Sequence, residues 1–102
     1  MKWKIITTRD FDIDFSKLDN SIKKKIFKEI EQIKENPFRG KSLGYSFFRE
    51  KKVKSYRLYY LVYKEKIIVF VIAISSKKNQ QEIINRIKYL IPFYKQHVDE
   101  NH

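Results

Sequence analysis

The spacing of hydrophobic positions changes once along the chain, near residue 45, from a helical to a strand-like period. Before that point, Trp3 to Thr7 is a short apolar run suited to a first strand. Thr8 or Asp10 can cap a short helix that carries Phe11, Phe15 and Leu18 on one face. Asp19-Asn20 opens a second helix, with Ile22, Ile26, Ile30 and Ile33 as an apolar stripe backed by Lys and Glu. That helix ends before Pro37, because a residue preceding proline is pushed out of the helical region. Past residue 45, Tyr45–Lys51 and Tyr56–Tyr63 read as strands joined at Val53-Lys54-Ser55. Ile67–Ile74 is an unbroken apolar run rich in β-branched residues, the pattern of a central strand, with Lys64-Glu65-Lys66 as the turn before it. Asn79-x-x-Glu82 has the form of a capping box, and Ile83, Ile84, Ile87, Leu90 and Ile91 make the stripe of a last helix. Pro92 interrupts that helix and leaves 93–102 as a frayed tail. The expected fold class is α+β in one domain over 1–102. Its order is β-α-α-β-β-β-α, an antiparallel sheet of about four strands with the helices packed on one face.

Composition narrows the class. The 102 residues have room for one core, and a 42% hydrophobic share argues against disorder despite 34% charged residues. No cysteine is present, which removes disulfides, thiolate metal sites and cysteine nucleophiles together. No apolar run reaches transmembrane length, and Met-Lys-Trp-Lys-Ile-Ile is too short an opening for a signal peptide. A cytoplasmic protein with no membrane partner, metal or cofactor is expected.

Charge changes the picture more. The net charge is +11, and it is not spread evenly. Residues 39–78 carry eleven Lys/Arg against Glu50 and Glu65, whereas 1–38 carry nine against seven and 79–102 three against three. A concentrated excess of this kind is the electrostatic footprint expected of a protein that meets a polyanion, here RNA. The lysines of the second helix alternate with glutamates and read as a solvated face.

Strand parity proposes which side chains act together. Tyr56, Leu58, Tyr60 and Val62 form the better core face, which leaves Arg57 and Tyr59 on the open side. Arg49 and Lys51 alternate onto one face of the preceding strand, and if that face is the same one, they converge with Arg57 and Tyr59. Lys77 and Lys78, past the last strand, close the cluster. Cations neutralise phosphate, a guanidinium forks its oxygens in pairs, and a tyrosine face stacks a splayed base. Lys52, Lys54, Tyr59 and Lys78 are the candidate RNA-binding residues.

The stretch Arg49-Glu50-Lys51-Lys52-Val53-Lys54-Ser55-Tyr56-Arg57-Leu58-Tyr59-Tyr60-Leu61-Val62-Tyr63 resembles the RelE branch of the RelE/ParE toxin superfamily. Glu65 to Ile74, Leu18, Asn36-Pro37, Gly40-Lys41-Ser42-Leu43 and the trailing helix extend the resemblance over roughly residues 3–91. It implies a ribosome-dependent mRNA endoribonuclease, the toxin of a type II toxin–antitoxin pair, with a cognate antitoxin, mRNA and the ribosome as partners. The implied chemistry is attack of a ribose 2′-hydroxyl on the adjacent phosphate, with fixed cations stabilising the crowded phosphorane. Matched position by position, it implies Arg49, Lys51, Arg57 and Lys77 as catalytic residues, the first two if the hairpin is one residue shorter than in the family. An ungapped reading brings Phe48 and Glu50 to those two places instead. Where RelE proteins carry a tyrosine after the last strand, this chain has Ile83. A ParE-like toxin that binds a topoisomerase, and a non-catalytic RNA- or ribosome-binding module, are the competing expectations.

Overall fold

The computed structural model describes residues 2–102. Its elements are β1 (Lys4–Thr7), α1 (Arg9–Ser16), α2 (Asn20–Glu35), β2 (Lys41–Ser42), β3 (Phe48–Val53), β4 (Tyr56–Tyr63), β5 (Ile68–Ser76) and α3 (Gln80–Asn101). Single 3₁₀ turns at Pro37–Arg39, Lys64–Lys66 and Lys77–Asn79 connect them. The first two helices begin as the sequence predicts. Thr8 accepts a hydrogen bond from the Phe11 N–H, and Asp19 accepts one from that of Ile22.

The sheet has five strands in the order β1-β5-β4-β3-β2. Three pairings are antiparallel, but β1 runs parallel to β5, so the expectation of about four antiparallel strands is adjusted at both edges. Long helical connections make that parallel pairing possible, since the chain must cross over before β5 can lie beside β1.

The helices do not share one face, contrary to expectation. Phe11 of α1 and Ile26 and Ile33 of α2 pack with Leu58, Tyr60, Val69 and Val71 on one side. Ile84, Ile87 and Val98 of α3 pack with Tyr59, Leu61, Phe70 and Ile72 on the other. A sheet covered on both faces explains why β4 and β5 read as almost unbroken apolar runs instead of alternating ones. The side chains of Ile26, Ile33 and Ile87 are at most 1% exposed, and each contributes about 1.5–3 kcal/mol by leaving water.

Two further expectations about α3 fail. The helix runs through Pro92 to Asn101, and Val98 is fully buried, so 93–102 is a docked segment and not a frayed tail. Apolar contact with the sheet supplies what the lost backbone hydrogen bond removes. Nor does Asn79 cap the helix with its side chain, because a 3₁₀ turn at Lys77–Asn79 leads directly into it.

Candidate functional site

The β3–β4 hairpin decides which cations meet. Lys54-Ser55 alone makes its turn, with Val53 paired to Tyr56 and Lys54 at φ 58 in the left-handed region. Lys52 therefore stands opposite Arg57, Glu50 opposite Tyr59 and Phe48 opposite Leu61. These pairs lie on the α3 side, to which Phe48, Tyr59 and Leu61 contribute core. Lys51 faces Leu58 and Arg49 faces Tyr60, on the side that α2 covers.

Arg49 and Lys51 thus do not converge with Arg57. A connection over Val53-Lys54-Ser55 would have put Lys51 opposite Arg57; the turn is one residue shorter, and a single step of register moves every side chain to the other face. Both cations are occupied where they lie. Arg49 donates to the carbonyls of Ser46 (2.8 Å), Phe38 (3.2 Å) and Gly40 (2.8 Å), with its guanidinium 5.2 Å from the centre of the Phe38 ring. The Lys51 ammonium is 4.0 Å from the Glu29 carboxylate of α2, which also pairs with Arg39 at 3.2 Å.

Arg57 remains on the α3 side, with different company. Its Nε is 3.5 Å from Glu50 Oε1, and Nη1 donates to the Tyr56 carbonyl at 3.3 Å. Gln80, the first residue of α3, donates to the same Glu50 oxygen at 2.5 Å. Glu50 is 6% exposed and is the buried carboxylate of the core, while Arg57 keeps 11% of its side chain in contact with solvent. Lys52 is exposed opposite Arg57. Lys77 and Lys78 are exposed in the turn after Ser76, the partner of Tyr56, so they flank the same end of the sheet. Lys54 is exposed at the hairpin tip.

Tyr59 is not a stacking platform. It is fully buried beneath α3, and its hydroxyl lies 2.7 Å from Ser75 Oγ. Ser75 donates onward to the Ser76 carbonyl at 3.0 Å, so Tyr59 is the donor of the pair. Burial raises the Tyr59 phenol above its usual range, with the nearby Glu50 charge adding to the effect and the Ser75 bond opposing it. Ile83, at the place of the family tyrosine, packs into the α3-side core. His97 stacks on Phe70 at 5.5 Å and His102 lies 3.3 Å from the Lys4 ammonium. Both are therefore at the Ile68 end of β5, whereas Arg57 pairs with Ser75 at its other end.

Glu50, Gln80 and Ser75 are the polar groups that reading for cations missed. The signal for Glu50 is present in the sequence, since it alternates in step with Lys52. Together the α3-side groups form a guanidinium held by one carboxylate, an exposed lysine beside it and two more at the strand end. Such a set can take a phosphate in place of the carboxylate. Among the described residues, no three His, Cys, Asp or Glu side chains are grouped to hold a metal ion. No described helix is long and apolar enough to cross a membrane.

Residues 5–81 match the family model described as the ParE toxin of the type II toxin–antitoxin system parDE. No curated protein is significantly similar to the chain in sequence. Among solved structures, the chain resembles a mutant of the Escherichia coli toxin RelE in the free state. The identity is 26% and the TM-score 0.71, over 85% of this chain and 99% of RelE. It is similar to a chain of the intact E. coli RelBE toxin–antitoxin complex at 26% identity and TM-score 0.67, over 72% of this chain and 95% of the other. A toxin–antitoxin complex of Mycobacterium tuberculosis matches in fold, with 20% identity, TM-score 0.67 and coverage of 76% and 100%. On the match over 5–81, the chain belongs to the ParE toxin family of type II toxin–antitoxin systems, within the RelE/ParE superfamily.

Proposed function

We propose that this toxin cuts mRNA on the ribosome, with Arg57 as the cation that holds the scissile phosphate. The observation that carries the reading is the register placing exposed Lys52 directly opposite Arg57, at the strand end flanked by Lys77 and Lys78. The similarity to RelE over nearly the whole RelE chain supports it. An incoming phosphate competes with Glu50 for the Arg57 guanidinium. Once Arg57 turns to the phosphate, the Glu50 carboxylate, held in place by Gln80, is released from its ion pair. It takes the proton of the ribose 2′-hydroxyl while the 2′-oxygen bonds to phosphorus and the bond to the 5′-oxygen breaks, the departing oxygen taking a proton from water. Lys52 and Lys77 stabilise the charge that builds on the phosphorane. Lys54 and Lys78 hold the flanking backbone.

A cognate antitoxin is the protein partner in this reading, as the RelBE complexes among the similar structures suggest by analogy. The excess of cations over 39–78 steers an acidic partner, so association should slow as salt rises. The test of cleavage is addition of the purified protein to a translating extract, with mapping of mRNA ends. Cuts on ribosome-bound message are expected; intact message at every dose, with folding verified by circular dichroism, removes the nuclease.

A second reading has its own support. The matching family model is that of ParE, and Arg57 sits in an ion pair with Glu50. A ParE-like toxin would act by binding a topoisomerase, and inhibition of DNA supercoiling without mRNA cleavage would select it.

A further inference from the structure

A cleft of about 380 Å³ opens where the start of α1 meets the middle of α3. It lies on the α3 side of the sheet, over Ile72 and Ala73 of β5. Ala73 pairs with Tyr59 and Ser75 with Arg57, so along β5 the cleft stands about 7 Å from the level of Arg57. It opens on the β1 side of β5, whereas Arg57 belongs to β4 on the other side.

Ile72, Ala73 and Ile87, all buried, close the bottom of the cleft. Leu90 and Tyr94 are only half-buried and offer a surface against which a flat ring can lie. The Tyr94 ring is held edge-on to Phe70, with centroids 5.7 Å apart. Arg9 of α1 and Arg86 of α3 stand exposed at the mouth. Neither has an ion pair or a hydrogen bond among the described residues, whereas Arg39, Arg49 and Arg57 are all engaged. Asp10 lines the same mouth and pairs with neither arginine. Burial raises the Tyr94 phenol, with the Arg86 charge opposing the shift and the Asp10 charge adding to it, so the three groups share one small volume.

We propose that this cleft binds a nucleotide, with the base against Leu90 and Tyr94 and the phosphate between Arg9 and Arg86. Asp10 accepts an N–H of the base. Guanidinia free of carboxylates are suited to fork phosphate oxygens, and an apolar wall ending in an aromatic ring suits a base. A bare anion would meet the Asp10 charge with nothing to offer it, and a nucleotide brings a donor to that carboxylate. Both arginines lie outside the basic segment 39–78, so this site is separate from the row around Arg57. The nucleotide is either free or one unit of an RNA strand; the strand as source rests on the reading above, and the cleft does not.

Titration calorimetry of the full-length protein tests this with AMP, ribose 5-phosphate and a single-stranded adenylate pentamer. AMP should bind, and ribose 5-phosphate, which lacks the base, should bind at least roughly tenfold more weakly. Arg9→Ala and Arg86→Ala should each weaken AMP roughly tenfold, the loss expected for a charged hydrogen bond, while Arg57→Ala leaves its affinity unchanged. Both variants remove exposed, unpaired side chains and should melt with the wild type. A pentamer that binds more tightly than AMP through Arg86 assigns the cleft to an RNA strand; one that binds no more tightly assigns it to a free nucleotide. Equal affinity for AMP and ribose 5-phosphate would overturn the base site. Loss of AMP in Arg57→Ala alone would place the nucleotide beside Arg57 and overturn the cleft, as would the absence of any binding that depends on Arg86. A lowered melting temperature in either variant would show the arginine spent on the fold, which also overturns the inference. Intact message in the translating extract, with AMP binding retained, would remove the nuclease and leave the cleft standing.

Discussion

The two faces of the β3–β4 hairpin carry the same kinds of residue and use them in opposite ways. On the α2 side, Arg49 gives its donors to three main-chain carbonyls and Lys51 leans on Glu29. On the α3 side, Arg57 meets one carboxylate and one carbonyl, and Lys52 has no partner at all among the described residues. The first set fastens the Pro37–Gly40 segment to the sheet. The second retains unspent donors at an open strand end. Cations signal a binding surface only after those consumed by the fold have been subtracted, and here the subtraction removes Arg49 and Lys51.

The largest effect expected from this contrast is on cleavage. Arg57→Ala should lower the rate of mRNA cutting by about 10²–10³-fold, as for loss of one fixed donor to a developing charge. Arg49→Ala should cut at the wild-type rate per folded molecule. End-mapping in a translating extract, normalised by circular dichroism, measures both; equal losses would erase the distinction between the faces.

The same pair reverses when stability is measured. Arg49→Ala leaves the carbonyls of Phe38 and Gly40, both partly buried, without their donor, and should cost about 2–4 kcal/mol in urea unfolding. The locality is tight: a Cβ on Gly40 would come within 2.6 Å of the Tyr60 hydroxyl and 2.8 Å of the Glu50 carbonyl, so the segment has no slack in which to find new partners. Arg57→Ala should cost less in the fold, since its main-chain bond at 3.3 Å is weak, although Glu50 then loses its counter-ion.

Neighbouring tyrosines on the two faces extend the comparison to pH. Tyr60, on the α2 side, is fully buried, donates to the Pro37 carbonyl at 2.7 Å and is pushed up from 10.0 to about 12, mainly by burial. Tyr59, on the α3 side, is raised without so large a displacement. A phenol whose pKa is raised by folding stabilises the fold while both states are protonated. That contribution is present below pH 10 and is lost as pH climbs towards about 12, by roughly 2–3 kcal/mol for Tyr60. Stability measured from pH 9 to pH 12 should therefore fall less steeply in Tyr60→Phe than in wild type, and Tyr59→Phe should flatten it to a smaller degree. An unchanged slope in Tyr60→Phe would mean that alkaline unfolding is governed elsewhere.

Much of this fold is legible in the sequence because periodicity survives tertiary context. The isoleucine stripe of α2, the Thr8 and Asp19 caps, and the apolar run of β5 all appear where the pattern places them. What was hidden turns on single-residue geometry. The hairpin closes over Lys54-Ser55 with Lys54 left-handed, and no glycine or asparagine stands there to mark the turn. Without that marker the register is ambiguous by one residue, which is enough to exchange Lys51 for Lys52 opposite Arg57. The buried state of Tyr59 was hidden for another reason: tyrosine is amphipathic, and only the arrival of α3 on the second face closes it off. Glu50 escaped because a lone acid in a basic run reads as spacing between cations.

The smallest expected effect falls on the lysines that this one-residue step exchanges. Lys51 is 30% exposed and stands 4.0 Å from Glu29, at the outer limit of an ion pair. Pairs of this exposure contribute about 0–1 kcal/mol, and Glu29 keeps Arg39 when Lys51 is gone. Lys51→Ala should accordingly change stability by less than about 1 kcal/mol and leave cleavage unaltered. Lys52→Ala should leave stability alone, because nothing in the fold leans on it, yet slow cleavage by a few fold through weaker neutralisation of the phosphate beside Arg57. The salt dependence of cleavage is the sharper readout of the two. It should be shallower in Lys52→Ala and unchanged in Lys51→Ala, since only a cation that contacts the backbone releases counter-ions when RNA binds. If Lys51→Ala flattens the salt dependence and Lys52→Ala does not, the RNA lies on the α2 face, and the assignment of the two faces is the wrong way round.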